Sequence, residues 1–246
     1  MIYAGCNEAH AHQMTMTTSK EGVVFIVLAG TGSAIVDWGN GMLNDTVMVI
    51  SNSETFPTLL RHEYNVSTPH TITIIGDNIT YLGCEDNNLI TLDISNNTAL
   101  ESLECSNNQL TALDMGRNIN LKFLSCNNNR LTSLDVSNNT ALELLNCSSN
   151  QLIALDVSKN TNLQSLFCSD TQLTALDVSN NTALRWLEIE YNQFSATALN
   201  ATFRTLQRKN NIEGHGKQIR ITGNPGASTC IRIFAKLRGW SVYTFK

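Results

Sequence analysis

The sequence has few charged residues and no long apolar run. Charged side chains make up only 15% of the chain, and the net charge is −5. This balance, with no basic patch, argues against a nucleic acid or an anionic membrane as partner. The longest apolar run, 23–30, is far too short to span a bilayer. The composition therefore agrees with a soluble protein that is secreted or held at a cell surface.

Motifs for catalysis and metal binding are also missing. The chain contains no CxxC, HxxxH, GxSxG, HExxH or P-loop pattern. Residues 30–32 (GTG) lack the third glycine and the following helix of a dinucleotide site. Glu188 and Glu190 are two positions apart on one expected strand, but an open strand face offers no burial to favour acid catalysis. We therefore expect no enzyme activity, no cofactor and no metal ion.

A 21-residue repeat dominates the middle of the chain. It shows most clearly in five evenly spaced cysteines, Cys84, Cys105, Cys126, Cys147 and Cys168. The units begin at Leu89, Leu110, Leu131, Leu152 and Leu173, after a half-unit at 79–88. Each unit approximates LTxLDVSxNTxLxxLxCSxNQ. This period, with an LxxLxC core and an asparagine three places on, is the signature of a leucine-rich repeat.

One unit is too short to enclose its own apolar side chains, so successive units must stack and share a core. The LxxLxC stretch is expected to be a short strand with its second leucine and its cysteine pointing inward. Parallel strands about 4.8 Å apart give a rod on the order of 25 Å long. In-register cysteines point the same way, which favours reduced, buried thiols over disulfides.

Polar residues also repeat in phase and form three columns. The first asparagine column comprises Asn87, Asn108, Asn129, Asn150 and Asn192, and the second comprises Asn97, Asn118, Asn139, Asn160 and Asn181. An amide both donates and accepts, so these columns are expected to satisfy loop backbone rung by rung. Thr171 interrupts the first column and predicts a weaker turn. The aspartates Asp93, Asp114, Asp135, Asp156 and Asp177 admit a calcium site, but turn bonds to nearby backbone are favoured.

The repeats resemble the cysteine-containing 21-residue repeats of internalin-type bacterial surface proteins over 79–193. The whole chain is similar to leucine-rich-repeat surface or secreted proteins of anaerobic gut bacteria. Residues 37–41 (DWGNG), 62–64 (HEY) and 70–74 (HTITI) resemble elements of PKD-like immunoglobulin-type domains, although Asn40 and Met42 stand where aspartate and threonine are usual. The resemblance implies a bacterial surface location, with adhesion or contact with a host.

The expected fold is an α/β-type repeat solenoid, a right-handed leucine-rich-repeat β-solenoid with parallel strands on its concave face. Residues 1–13 are a disordered, export or linker segment, and 14–77 form an all-β, PKD-like cap with strands at 23–28, 34–38, 46–50 and 70–75. Residues 78–193 are the repeats. Residues 194–246 form an αβαβ cap, with helices at 195–208 and 227–238 and strands at 217–222 and 241–245. Cys6 resembles the end of a lipoprotein signal, and a lipid anchor and an ordinary cysteine are equal alternatives.

Function in a solenoid usually lies on the face formed by the outward residues of its parallel strands. Four residues on consecutive rungs form an apolar stripe there: Phe123, Leu144, Phe167 and Trp186. Exposed apolar patches with polar rims mark contact surfaces, and aromatic residues dominate interface hot spots. The predicted partner-binding residues are Tyr81, Glu104, Phe123, Leu144, Asn146, Phe167, Trp186 and Glu188.

The leading hypothesis is a non-catalytic surface or secreted protein that recognises an extracellular protein, or a glycan, through this face. We expect it to be a monomer or a weak homodimer without a membrane span. The alternative is a structural spacer that presents the N-terminal β module or neighbouring domains, with the apolar stripe buried in a dimer.

Overall fold

One short strand from each repeat joins a continuous parallel sheet. The computed structural model describes residues 12–41, 45–48, 57–208 and 216–244. The strands are β1 (Gln13–Thr18), β2 (Gly22–Gly30), β3 (Ser33–Asp37), β4 (Asp45–Met48), β5 (Thr58–Tyr64), β6 (His70–Gly76), β7 (Ile79–Gly83), β8 (Leu89–Asp93), β9 (Ser102–Glu104), β10 (Phe123–Ser125), β11 (Leu144–Asn146), β12 (Ser165–Phe167), β13 (Trp186–Glu188), β14 (Lys217–Arg220) and β15 (Trp240–Tyr243). The helices are α1 (Ala196–Thr205) and α2 (Ile233–Lys236).

The chain coils into a β-solenoid of about seven turns. Strands β7 and β9 to β15 pair in parallel in chain order, and partners on β10 and β11 such as Phe123 and Leu144 are 21 positions apart. The middle residue of each three-residue strand is a fully buried leucine: Leu103, Leu124, Leu145, Leu166 and Leu187. The predicted phase, with these leucines inward and their neighbours outward, is confirmed.

Side-chain amides of the first asparagine column hold consecutive rungs together. The Asn129 amide nitrogen donates to the carbonyl oxygens of Cys105 (3.0 Å) and Cys126 (3.1 Å), and its amide oxygen accepts from the Leu110 N–H (3.0 Å). Asn108 and Asn150 repeat this arrangement. One side chain thus satisfies buried backbone groups of two rungs, as predicted.

The second asparagine column uses only the donor half of its amides. The Asn139 amide nitrogen donates to the carbonyl oxygens of Met115 (3.0 Å) and Asn118 (2.9 Å). The amide oxygens of this column are buried and accept no hydrogen bond within the described chain. The aspartate column makes the predicted turns, because Asp135 accepts from the Ser137 N–H (2.9 Å) and Asp156 from the Ser158 N–H (2.8 Å).

A residue with a left-handed backbone conformation follows the end of each of strands β7 and β9 to β13 by three positions and starts the turn. Its φ lies between 52° and 57° in every rung, at Asp86, Asn107, Asn128, Ser149, Asp170 and Tyr191. Asparagine and aspartate tolerate this conformation better than other residues with a side chain. The second and third residues after each cysteine therefore have separate roles. The second residue turns the chain, and the third bridges the rungs.

The N-terminal strands pair directly with the first rung. Strand β2 runs antiparallel to β7, and β1 runs antiparallel to β8. Asn87, the first member of its column, accepts from the Phe25 N–H (3.0 Å) and donates to the Phe25 carbonyl oxygen (2.5 Å). The predicted strands at 23–28, 34–38 and 70–75 are confirmed as β2, β3 and β6, whereas β1 and β5 were not predicted.

The motif residues of the N-terminal segment pack against one another. Trp38 stacks on His62 with ring centroids 5.1 Å apart, and Tyr64 stacks on His70 at 4.1 Å. Trp38 and Tyr64 are both buried. The Tyr64 hydroxyl also donates to the Trp38 carbonyl oxygen. The main role of these residues is therefore to pack strands β3, β5 and β6 together.

The C-terminal segment closes the other end of the sheet with β14 and β15. Helix α1 has the predicted N-cap, because the Ser195 hydroxyl accepts from the Ala198 N–H. The predicted helix at 227–238 is wrong in length, since α2 spans only Ile233–Lys236. The Ile231 N–H donates to the Asn200 side chain (2.6 Å), and the Ala227 carbonyl oxygen accepts from the Arg232 guanidinium (3.0 Å). These bonds replace the helical bond that would join Ile231 to Ala227.

Some predictions lie outside the described residues, namely the lipid anchor at Cys6 and the ends of the strands predicted at 46–50 and 241–245. Within the described ranges, neither helix has the length and hydropathy that a bilayer span needs.

The column cysteines are buried and free. Burial raises the pKa of every thiol in this column, that of Cys147 to about 12. The thiolate is the reactive form, so such thiols behave as small apolar side chains. Cys230 differs because it is only half-buried.

We expect iodoacetamide at pH 8 to modify Cys230 in the folded protein while the five column cysteines stay unmodified until urea unfolds the chain. Peptide mapping by mass spectrometry measures each site separately. Modification of Cys126 at the rate of Cys230 in the folded protein would contradict the buried column.

Thr171 leaves one rung without its usual bond. Its hydroxyl donates to the Asn192 amide oxygen and the Cys168 carbonyl oxygen. No hydrogen bond to the Leu152 N–H is recorded within the described chain, although an amide oxygen at position 171 would accept one. We expect Thr171→Asn to raise the free energy of unfolding by about 1 kcal/mol. Thermal melting should show this as a rise of about 2–4 °C.

The matched control is Asn129→Thr, which removes the corresponding bonds two rungs away from Thr171 and should lower the melting temperature. Equal melting temperatures for the native chain and Thr171→Asn would show that the interrupted column costs nothing.

Candidate partner-binding face

All eight predicted partner-binding residues lie on one face of the parallel sheet. They flank the inward leucines on consecutive strands: Tyr81 on β7, Glu104 on β9, Phe123 on β10, Leu144 and Asn146 on β11, Phe167 on β12, and Trp186 and Glu188 on β13. Phe123 and Trp186 are each 37% exposed, and the other six are half-buried. None of the eight points into the core. Their role in binding stays a prediction.

The apolar stripe runs along the face and steps sideways once, because its members come from two side-chain columns. Phe123, Leu144 and Trp186 precede the inward leucine, whereas Phe167 follows it. Ser165 separates Leu144 from Trp186 in the first column. The Phe167 and Trp186 rings nevertheless meet across the columns, with centroids 5.9 Å apart and planes tilted by 60°.

Polar contacts hold Trp186 in one orientation. Its indole N–H donates to the Glu188 carboxylate (2.8 Å), and the same carboxylate oxygen pairs with the Arg220 guanidinium (3.1 Å). The Arg220 guanidinium also lies 5.6 Å from the centre of the Trp186 ring. The sequence pattern missed Arg220, because β14 lies outside the repeat and shares no period with it. At this end of the face, the Trp186 ring is therefore held in place, and Arg220 compensates the charge of Glu188.

The polar side chains in the middle of the face form hydrogen bonds with one another. The Ser106 and Ser125 hydroxyls are 3.0 Å apart, and both contact the Asn127 amide oxygen. Asn146 donates to that same oxygen (3.1 Å) and accepts from the Ser148 N–H (3.2 Å). The amide of Asn146 is thus engaged within the protein, which reduces its weight as a contact residue.

The N-terminal end of the face contains a cleft of about 390 Å³. Its lining joins the solenoid to the N-terminal segment and includes Ala29, Pro57, Tyr81, Ser102, Glu104 and Phe123. Sequence analysis placed Tyr81, Glu104 and Phe123 among the site residues but not Ser102. Only the structure shows that Ala29 and Pro57 reach the same space, because they come from another part of the chain.

Glu104, which lines this cleft, interacts with a second carboxyl group, that of Glu85. Gly83 leaves room beside them: a Cβ atom there would lie 3.0 Å from the Tyr81 hydroxyl and 3.2 Å from a Glu85 carboxylate oxygen. The Glu104 carboxyl group also interacts with the Tyr81 side chain. Burial, followed by the bond with Glu104, raises the pKa of Glu85 to about 7. Burial and the nearby carboxylates also raise the pKa of Tyr81.

The raised pKa of Glu85 has a consequence for stability. Its ordinary value is 4.5 and its folded value about 7, so between these pH values the folded chain binds more protons than the unfolded chain. The free energy of unfolding therefore decreases as pH rises through this window. We expect Glu85→Gln to reduce the loss of stability between pH 5 and pH 8, measured by urea unfolding. Glu190→Gln, in the same column five rungs away, should keep the native pH dependence, and an equal loss in all three proteins would contradict the raised pKa of Glu85.

Comparison with known proteins identifies the fold. The functional domain of InlJ from Listeria monocytogenes, which includes a cysteine ladder, matches with a TM-score of 0.50 and 33% identity over 59% of this chain and 30% of that chain. A leucine-rich-repeat protein from Leptospira interrogans matches with a TM-score of 0.51 and 24% identity over 61% of this chain and 38% of that chain. The second likeness shows the fold alone.

A family model described as the LVIVD repeat matches residues 72–104. No curated protein matches the chain. The matched region amounts to less than half of either solved structure. The chain is a β-solenoid that resembles leucine-rich-repeat proteins, among them InlJ with its cysteine ladder.

Proposed function

We propose that this chain is a non-catalytic binding protein that recognises a protein partner through the concave face of its repeats, with a glycan as the second class of ligand. The proposal depends mainly on one observation, the apolar stripe of Phe123, Leu144, Phe167 and Trp186. Its rings remain on the outer face although every rung has a fully buried position beside them. A fixed, partly exposed pair such as Phe167 and Trp186 gives contact area at little entropic cost.

The surroundings of the stripe support the same function. Glu188 and Arg220 orient Trp186 at one end, and the cleft lies at the other. A leucine-rich-repeat solenoid suits interaction because its outer columns can vary without disturbing the core. Similarity to an internalin adds a surface or secreted location and a role in adhesion to the proposal, although fold likeness alone cannot establish a role.

The flanking segments complete this proposal. Residues 14–77 act as a PKD-like N-terminal cap, supported by the pairing of β1 with β8 and of β2 with β7. Residues 194–246 act as the C-terminal cap, supported by β14 and β15 extending the sheet. Open solenoid ends would otherwise expose apolar core.

A panel of immobilised extracellular-matrix proteins and mucins is first screened for a protein that binds the native chain. We expect the triple change Phe123→Ala, Phe167→Ala and Trp186→Ala to weaken binding to that protein by at least about tenfold. Surface plasmon resonance measures the affinity, and thermal melting checks the fold. The melting temperature should change little, because two of the three rings are 37% exposed.

The matched control is Ile119→Ala with Ile153→Ala, which removes apolar side chains that are 57% and 68% exposed elsewhere on the solenoid. This control should bind like the native chain. Native affinity in the triple variant would remove the apolar stripe from the binding function.

A structural spacer is the second candidate. Ile231, Ile233 and Leu237 are at least 48% exposed beside α2, which suits packing against a neighbouring domain or a second copy. Light scattering separates the two functions: a stable dimer with the Trp186 fluorescence shielded from quenchers favours the spacer, and a monomer with accessible Trp186 favours the binding protein.

A further inference from the structure

We infer that the cleft at the N-terminal end of the face receives a lysine or arginine side chain from a protein partner. The cation would lie against Glu104, which lines the cleft and interacts with Glu85, and its aliphatic stem would pack along Tyr81 and Phe123. This inference rests on the proposed binding function and adds the chemistry of the partner at one defined place.

The cleft has the size and lining for such a side chain. It encloses about 390 Å³ between the outer strands and the N-terminal segment. Ala29, Pro57 and Phe123 provide apolar walls, and Glu104 and the Tyr81 hydroxyl provide polar groups at one side. A long side chain with an apolar stem and a charged end matches this division, and its cation can also interact with an aromatic face.

Ser102 adds a hydrogen-bonding group to the cleft. Its side chain projects from β9 into the cleft between Tyr81 and Phe123 and is only 8% exposed as a whole. Within the described part of the chain, its hydroxyl forms no hydrogen bond and is open to the cleft. It can therefore accept a hydrogen bond from a ligand N–H.

The local charge selects a cation over a neutral or anionic group. The charged side chains that act on Glu85 are Glu104 and Asp86, and both are acidic. Two basic residues on neighbouring segments have other partners: the Lys20 ammonium donates to the Asp86 carbonyl oxygen (2.5 Å), and Lys122 pairs with Glu101 (2.7 Å). Among the described residues, neither glutamate forms an ion pair, in contrast to Glu188 with its Arg220.

The raised pKa of Glu85 predicts how this contact depends on pH. Glu85 has a pKa of about 7, so it is mostly neutral at pH 6 and mostly ionised at pH 8. Tyr81, Glu104, Asp86 and the buried Cys84 thiol are the titratable groups near it. Because Tyr81 and Cys84 both have raised pKa values, only carboxyl groups change charge in this range. A cation should therefore bind more tightly at pH 8.

The test uses a synthetic probe, acetyl-Gly-Leu-Lys-Leu-Gly-amide, and the same peptide with norleucine in place of lysine. Each is titrated into the full chain labelled with ¹⁵N, and amide shifts locate and quantify binding. We expect the lysine peptide to shift the amides of Tyr81, Ser102 and Phe123, and the norleucine peptide to leave them unchanged. Equal shifts from both peptides, or shifts confined to another surface, would overturn the inference.

Matched variants identify the groups responsible. Glu104→Gln should weaken the lysine peptide by at least about tenfold, whereas Glu190→Gln should leave its affinity unchanged. The native chain should bind it roughly threefold or more tightly at pH 8 than at pH 6, and Glu85→Gln should remove that difference. Equal losses in Glu104→Gln and Glu190→Gln would mean that general charge, rather than the cleft, attracts the peptide. Spectral dispersion shows that each variant is folded.

Failure here is distinguishable from failure of the proposed function. If the lysine peptide does not bind but the triple aromatic variant still loses the immobilised partner, the face binds proteins without using a cation in the cleft. If the peptide binds as expected and the aromatic variant keeps its partner, the cleft site stands and the role of the stripe is wrong.

Discussion

The hydrogen bonds of the asparagine side chains are the interaction on which the rest of the structure depends. Strands β9 to β13 are only three residues long, and backbone bonds between neighbouring rungs continue into the turns beyond them. Each amide of the first column adds bonds to backbone groups of two rungs in a buried place where water cannot substitute. The same device ends the array on both sides, because Asn87 binds β2 and Asn224 binds the carbonyl oxygens of Ile189 and Ile221.

This arrangement separates the residues that build the solenoid from those that give its face a character. Leucine, cysteine and asparagine fill the positions where each rung needs apolar volume or a bridging amide. The side-chain columns on the outer face supply neither apolar volume to the core nor bridging amides. Phe123 and Trp186 therefore occupy positions where serine serves equally well, as Ser102 and Ser165 do in the same column. Aromatic rings at such positions require a reason outside the core, and contact with a partner provides one.

Periodicity explains why some features were predictable and others were not. The inward phase of Leu124 and Cys126, the aspartate turns and the Ser195 cap follow from local spacing, which repeats or has a known capping chemistry. Strand β5 and the short α2 depend on pairing and side-chain bonds with distant segments, such as Asn200 with Ile231. Arg220, Ser102 and the cleft were missed for the same reason. Only the meeting of Glu85 with Glu104 had a visible signal, since both acids project from the same face on neighbouring rungs.

The two ends of the face differ in charge, and this difference gives the proposed interaction a direction. Trp186 belongs to an end where Arg220 already compensates Glu188, so it offers area and little net charge. Tyr81 belongs to an end where Glu85 and Glu104 interact and burial raises the pKa of Glu85. Five strand spacings separate these residues, about 24 Å, which an extended segment of about seven residues spans. A partner segment with a basic residue near one end and an apolar residue near the other therefore fits in one orientation, because reversing it would place the cation beside Arg220.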